Sequence, residues 1–251
     1  MARETPWRRI APDSSLCYPD SRYSDGQRME SRRRIITVDG VGASGKSALA
    51  RLLAERLGFA HLNSGLLYRA AAYLVGTLGA NPESDSEVSD LLKHHSIELR
   101  YDSTHGNQIF IDGIQRDPEL TTQDNSRLAS VVAKLPGVRG HFVEVQRSAF
   151  APAGVVAEGR DMGTVIFPEA SPKFFVDADI TVRAERRQQQ LIAKGEQVAL
   201  ADIERDLARR DHEDATRLIC PMKPAEGAVI IDNSSGTLDE IVEKMYRAVV
   251  P

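Results

Sequence analysis

The stretch Ile35-Ile36-Thr37-Val38-Asp39-Gly40-Val41-Gly42-Ala43-Ser44-Gly45-Lys46-Ser47-Ala48-Leu49 decides how the chain is read. A β-branched run predicts a strand, a G-x-x-x-x-G-K-S loop follows, and Leu49, Leu52, Leu53 and Leu57 recur at helical spacing. The order is strand, loop, helix. Backbone N–H groups of such a loop converge at a helix N-terminus, where the macrodipole adds to their positive charge, so the fitting ligand is a polyphosphate. Gly40, Gly42 and Gly45 leave room for its close approach. The candidate contacts to a nucleoside triphosphate such as ATP are Gly40, Val41, Gly42, Ala43, Ser44, Gly45, Lys46, Ser47 and Ala48. Among them Lys46 is expected to reach the β and γ phosphates and the Ser47 hydroxyl to ligate Mg²⁺.

The 251 residues allow one large α/β domain with excursions or two small domains, and a hydrophobic fraction of 41% supplies a core. A net charge of −4 argues against a general nucleic-acid binder, whose surface must be basic, so any anion site has to be basic locally. Cys17 and Cys220 are far apart and in no metal-ligand spacing, which suits a reducing cytoplasm. No apolar run approaches a membrane span. Residues 1–31 are polar, carry Pro6, Pro12 and Pro19, and show no period, so a disordered extension is expected. They lack an apolar signal region, their acids disfavour a transit peptide, and Met29 is a candidate translation start.

Beyond the loop helix, 59–63 reads as a short buried strand and Ser64-Gly65 turns into a helix carrying Tyr68 and Arg69. Ser64 as a helix cap and Arg69 as a solvated residue are the plain readings. A short helix ends at His94-His95, a surface pair because neighbouring helical residues point apart. Runs at 96–101 and 108–111 predict an antiparallel hairpin, with a second turn toward 114–117, inserted into an α/β chain. Helical patterns over 122–150 carry Ser130, Arg139 and Arg147 and break at Pro136-Gly137. Then 155–157 is an apolar strand running into Glu158-Gly159-Arg160-Asp161-Met162-Gly163-Thr164, at the strand end where parallel sheets bind ligands. After a strand at 174–177, Arg183 and Arg187 share a helix face. Arg205, Arg209, Arg210, Asp211, Glu213, Asp214 and Arg217 form a second charged stretch, whose acids and arginines suit pairing along a helix surface. A last core strand at 229–232 and an amphipathic helix at 238–250 close the chain.

With these residues in view, the chain from about residue 35 onward resembles the bacterial cytidylate kinase family of P-loop nucleoside monophosphate kinases. The phosphate loop, Ser64-Gly65-x-x-Tyr68-Arg69, Gly159 to Pro168, Arg183-Ala184-x-Arg186-Arg187 and Arg210-Asp211-x-x-Asp214-x-x-Arg217 carry the likeness in order. The resemblance implies an α/β fold with a five-stranded parallel core sheet flanked by helices. It also implies a small antiparallel insert near 96–122 and a mobile lid near 183–217, all within a domain spanning 32–251. It further implies that Ser64, Arg139, Asp161 and Arg217 face cytosine and that Ser130, Arg210 and Asp214 hold the sugar. Arg69 and Arg160 would grip the monophosphate, with Tyr68 packed near it. Asn63 stands where the family usually has an aspartate, Thr121 replaces an arginine, and Glu213 replaces a basic residue sometimes seen in the lid.

The implied reaction moves the ATP γ-phosphate onto CMP or dCMP, with Mg²⁺ as cofactor. A monophosphate with a second pKa of about 6 needs no strong base. The obstacle is bringing two polyanions together, since each unit charge pair at 4 Å costs roughly 4 kcal/mol at an effective dielectric of 20. Lys46, Arg69, Arg160, Arg183 and Arg187 would supply countercharge. Action as a cytoplasmic monomer, with no nucleic-acid or membrane partner, is expected. Competing readings are a P-loop kinase for UMP, AMP or shikimate, and a nucleotide-binding module without catalysis.

Overall fold

Strand β1 (Ile35–Gly40) is buried along its whole length, and the other elements are stacked around it. The computed structural model describes residues 35–102, 105–148, 153–193 and 195–250, so the expectations for 1–31 and Met29 lie outside the described residues. Helix α1 (Lys46–Leu57) follows the loop and buries Leu49, Ala50, Leu53 and Ala54, the i, i+4 rows that a helix lays on a sheet. Leu52 and Leu57, read with them from the sequence, pack only partly against this core. Gly58 ends α1 in a left-handed cap whose N–H reaches back to Ala54 and Glu55 carbonyls.

Next come β2 (Ala60–Asn63), α2 (Gly65–Leu78) and α3 (Asp85–His94). Strands β3 (Ile97–Asp102), β4 (Gly106–Ile111) and β5 (Ile114–Gln115) form a three-stranded antiparallel sheet, and the short α4 (Asp117–Leu120) follows it. Helices α5 (Gln123–Val132) and α6 (Pro136–Ser148) come after. The helical pattern does break ahead of Pro136-Gly137, over 133–135, and Pro136 opens α6, where proline's missing N–H costs nothing. Strand β6 (Val155–Gly159) leads into a π-helical turn (Met162–Ile166), then β7 (Lys173–Asp177), α7 (Ile180–Ile192), α8 (Leu200–Thr216), β8 (Val229–Asp232) and α9 (Leu238–Val249).

The five parallel strands lie in the order β2-β6-β1-β7-β8. Ile36, Val38, Val156, Phe174 and Val176 pack with α1 and α9 into one core. Ile35, Val155, Ala157, Val143 and the π-helical turn build a second. A third core joins α2, α3, α5 and α6 to the antiparallel sheet. The strand at 229–232 departs from expectation: β8 is the sheet edge, with Val229 and Ile230 exposed and only Ile231 buried. Asp39 of β1 stands beside Gly159 of β6, so the two central strands deliver the phosphate loop and the Arg160-Asp161 segment to the same end of the sheet.

Candidate active site

The phosphate loop is shaped by contacts that only certain residues tolerate. Gly40 has φ 151°, and a Cβ there would lie 2.0 Å from the Val176 oxygen. Gly45, at φ 84°, starts α1, and its Cβ would lie 2.5 Å from Asn233 Nδ2. That amide donates to the Ser44 carbonyl at 2.6 Å, and Ser44 Oγ donates to Val41 O at 3.0 Å. Lys46 Nζ folds over the loop and donates to Val41 O at 3.2 Å. Burial and the nearby Arg160 push the Lys46 ammonium down to about 7, against the opposing pull of Glu158, Asp211 and Asp214. One loop amide is already engaged, since Gly42 N–H donates to Asp211 Oδ1 at 3.1 Å.

Beside the loop opens a cleft of about 270 Å³. Lys46 and Ser47 line one part of it, and all ten residues read as monophosphate contacts line it too: Ser64, Tyr68, Arg69, Ser130, Arg139, Arg160, Asp161, Arg210, Asp214 and Arg217. Arg139 Nη2 pairs with Asp161 Oδ2 while its Nη1 donates to Ala133 O at 3.0 Å, and Arg217 Nη2 stands 3.8 Å from Asp161 Oδ1. Arg139, Asp161 and Arg217 side chains are each under one-tenth exposed. Arg160 Nε donates to Asp214 Oδ2 at 2.9 Å. Burial raises the Asp214 carboxyl, but Arg160 and Arg217 outweigh it and hold the group below the usual carboxylate range. Arg69 is pushed down by burial first and then by Arg187, Arg210 and Arg160, so four guanidinium groups crowd one region. Arg210 Nε and Arg217 Nη2 are buried and make no aligned hydrogen bond among the described residues, although carboxylates stand 3.2 Å and 3.8 Å away.

Other residues do something different from what their sequence context suggests. Ser64 does not cap α2; its hydroxyl donates to Glu158 O at 2.7 Å, tying the helix start to β6. Ser130 Oγ bonds one turn back to Ser126 O at 3.2 Å. Arg183, expected to face phosphate, is buried behind the loop instead. Its Nε donates to Ala178 O at 2.9 Å, and its Nη1 to Gly42 O at 3.0 Å and to Asp211 Oδ2 at 2.5 Å. It braces the loop against α8. Arg187, on the same helix, bonds Gln190 at 3.4 Å and reaches the cleft by its charge, not as a lining residue. His95 pairs with Asp112 at 2.6 Å, and the described residues hold no group of three or more metal-ligating side chains.

Four acids and a histidine that organise the site received no role of their own from the sequence, although Glu158 and Asp211 lie inside the charged blocks it singled out. Asp39 accepts from Met162 N and Gly163 N, each at 2.8 Å, and so fixes the π-helical turn to β1; burial pushes its carboxyl up to about 7. Asp211 joins Gly42 to Arg183, and Asp206 lies 3.2 Å from Arg210. Glu158 is buried, meets His61 Nε2 at 3.1 Å and lines the cleft together with Ser47. His61 Nδ1 in turn meets Asn107 of β4 at 3.1 Å. The signal was present: Asp39 and Glu158 are single acids at the ends of otherwise apolar strands, positions a solvated charge does not take. The donor chemistry here fits a divalent ion such as Mg²⁺, because the Ser47 hydroxyl and the Glu158 carboxylate on one cleft are hard oxygen donors, and Mg²⁺ takes few protein ligands beside phosphates.

The family model described as cytidylate kinase matches residues 36–250. A cytidylate kinase of Thermotoga neapolitana is 41% identical over 215 residues, 85% of this chain and 96% of the relative. One from Vibrio parahaemolyticus is 39% identical over 219 residues, 87% and 96% of the two chains, and one from Bordetella bronchiseptica 38% over 209, 83% and 92%.

Proposed function

The chain belongs to the cytidylate kinase family, and from that premise we propose that it transfers the γ-phosphate of ATP to CMP or dCMP, giving ADP with CDP or dCDP. A monophosphate oxygen attacks the γ-phosphorus in line, the bond to the β-phosphate oxygen breaks, and ADP leaves. The loop amides and Lys46 hold the donor phosphates, and Ser47, with Glu158 on the same cleft, is the residue that would hold Mg²⁺. The ion supplies charge neutralisation on the phosphates. Arg69 and Arg160 line the cleft and would grip the acceptor phosphate, with the charges of Arg210 and of Arg187 on α7 close to Arg69. Countercharge fixed in a partly dry cleft lowers the cost of that meeting without rearrangement during the step.

Support for a pyrimidine acceptor comes chiefly from one observation: Asp161 and two arginines are buried together at the cleft wall. A carboxylate only accepts, so it suits the cytosine amino group and opposes the uracil oxygen. The mismatch costs roughly 1–3 kcal/mol, or about 5- to 150-fold. Ser64, Arg139 and Arg217 would complete the base pocket, with Ser130, Arg210 and Asp214 on the sugar and Tyr68 packed alongside. The reading includes action as a cytoplasmic monomer. A coupled assay with ATP–Mg²⁺ across CMP, dCMP, UMP and AMP tests it. Preference for CMP and dCMP is the expected result; equal kcat/KM for UMP would remove the base assignment, and absence of CDP the kinase assignment.

A further inference from the structure

Helices α7 and α8 are joined by an apolar seam of Ala184, Leu191, Ile203 and Leu207, with Ala43 of the phosphate loop packed against it. The boundary between these helices and α5 is of another kind. An open hollow of about 350 Å³ lies between Leu128 and Lys134 on one side and Arg209 and Glu213 on the other. A second, of about 570 Å³, separates Thr122 from Glu196 in the α7–α8 connection. Polar links cross the boundary beside these hollows. Lys134 Nζ meets Glu213 Oε2 at 2.9 Å. With its oxygen and nitrogen assigned so that both find partners, the Gln123 amide donates to Glu196 Oε2 at 2.6 Å and accepts from Arg127 Nη2 at 2.9 Å. Glu213 Oε1 takes Arg209 Nη1 at 2.7 Å, so both carboxylate oxygens are engaged.

We propose that Lys134 and Glu213, aided by Glu196 and Gln123, are positioning residues that seat α8 across the acceptor side of the cleft. The inference rests on the kinase reading above. Neither Lys134 nor Glu213 lines the cleft. Yet Arg210 and Asp214 do, three before and one after Glu213 on the same helix, as does Arg217 at the cap of that helix, while Ser130 and Ala133 just before Lys134 line the cleft too. The ion pair therefore ties two walls of one site at its margin. A contact made of solvated ion pairs and hydrogen bonds separates at little cost, whereas an apolar seam does not. That difference suits a helix that must let a nucleotide in and then fix its arginines. Glu213, where the family sometimes has a basic residue, is accordingly the acid that Lys134 needs.

The experiment compares Glu213→Lys, Lys134→Glu and the double exchange, all in an Arg209→Ala background, so that Glu213 keeps Lys134 as its ion-pair partner and loses its second cation. Each single change turns an exposed attraction into repulsion and is expected to raise the CMP KM about three- to tenfold. The KM for ATP and the melting temperature stay near those of the Arg209→Ala parent, kcat is held or increased, and the double exchange restores the CMP KM. Amide hydrogen exchange along α8 should quicken in each single variant and recover in the double. Unchanged exchange, no recovery in the double, or an equal rise in the ATP KM would overturn the proposal. A wild-type protein that makes no CDP would remove the kinase reading alone, and the exchange data would still decide whether the ion pair seats α8.

Discussion

Replacing Asp161 by asparagine keeps the side chain's size and deletes one charge, so it isolates what that charge does. Asp161 is 2% exposed, paired with Arg139 through one oxygen and 3.8 Å from Arg217 through the other. Without it, two guanidinium groups face each other in a region with little water. Removing one partner of a buried pair costs about 3–5 kcal/mol, and the remaining amide oxygen favours the lower end, about 3. In a domain of this size each kcal/mol moves the melting temperature by about 2–4 °C, so a fall of about 6–12 °C is expected. The amide also carries donors, which turn the pocket toward a uracil oxygen and away from the cytosine amino group. Loss of an acceptor for one base and gain of a donor for the other should lower the CMP-to-UMP ratio of kcat/KM about 100-fold. Circular dichroism melts and initial rates measure the two effects separately. A variant that melts with the wild type and keeps its preference for CMP would show that Asp161 neither balances the arginines nor reads the base.

Nucleotide binding should take up protons at pH 8. Lys46 sits near 7 in the protein alone, polyphosphate raises it, and calorimetry in buffers of different ionisation enthalpy should show uptake that Lys46→Met abolishes. Asp214, held low in the folded state, contributes stability that is present above the ordinary carboxylate pKa and lost as pH falls through its own lower value. Urea midpoints between pH 6 and pH 3 should therefore fall less steeply in Asp214→Asn than in the wild type. Gly40→Ala should fail to give a stable protein, because the added carbon falls on the Val176 carbonyl; a variant of normal melting temperature would refute the packing argument.

The phosphate loop and the sheet around it were legible because local pattern and global position agree: an apolar run, a glycine loop and a leucine row have one compact arrangement. The cleft residues were legible only through the spacing of several blocks, since Arg139 or Ser130 alone reads as an ordinary helical residue. Arg183 and Arg187 show the limit of that method. They share a helical face at four-residue spacing, yet Asp211, which approaches from α8, draws Arg183 to the loop carbonyl of Gly42, while Arg187 meets Gln190 and acts on Arg69 and Arg210 by its charge. Which acid an arginine meets depends on helix packing, and no periodicity in either segment encodes it. The same reason hid Ser64's bond to Glu158 and the edge position of β8.

The arginines of the site fall into two sets with different physical tasks. Arg139, Arg160 and Arg183 are each matched to a carboxylate: Asp161, Asp214 and Asp211. For Arg139 and Arg160 the carboxylates outweigh burial and raise the guanidinium pKa. These groups are oriented before any substrate arrives, and orientation is what base choice and loop geometry require. Arg69 and Arg210 are instead pushed down, by burial and by the charge they share with Arg187, and in Arg210 the opposing pull of Asp206 does not make up the difference. Repulsion among them is an unfavourable term in the protein alone, and a dianion placed at their centre relieves it. An acidic chain thus makes a strong anion site without a basic surface, using its carboxylates to aim some arginines and leaving the charge of others incompletely balanced. Adding an acid near Arg69 would therefore weaken monophosphate binding even though it should stabilise the fold, and those opposite signs distinguish the two sets.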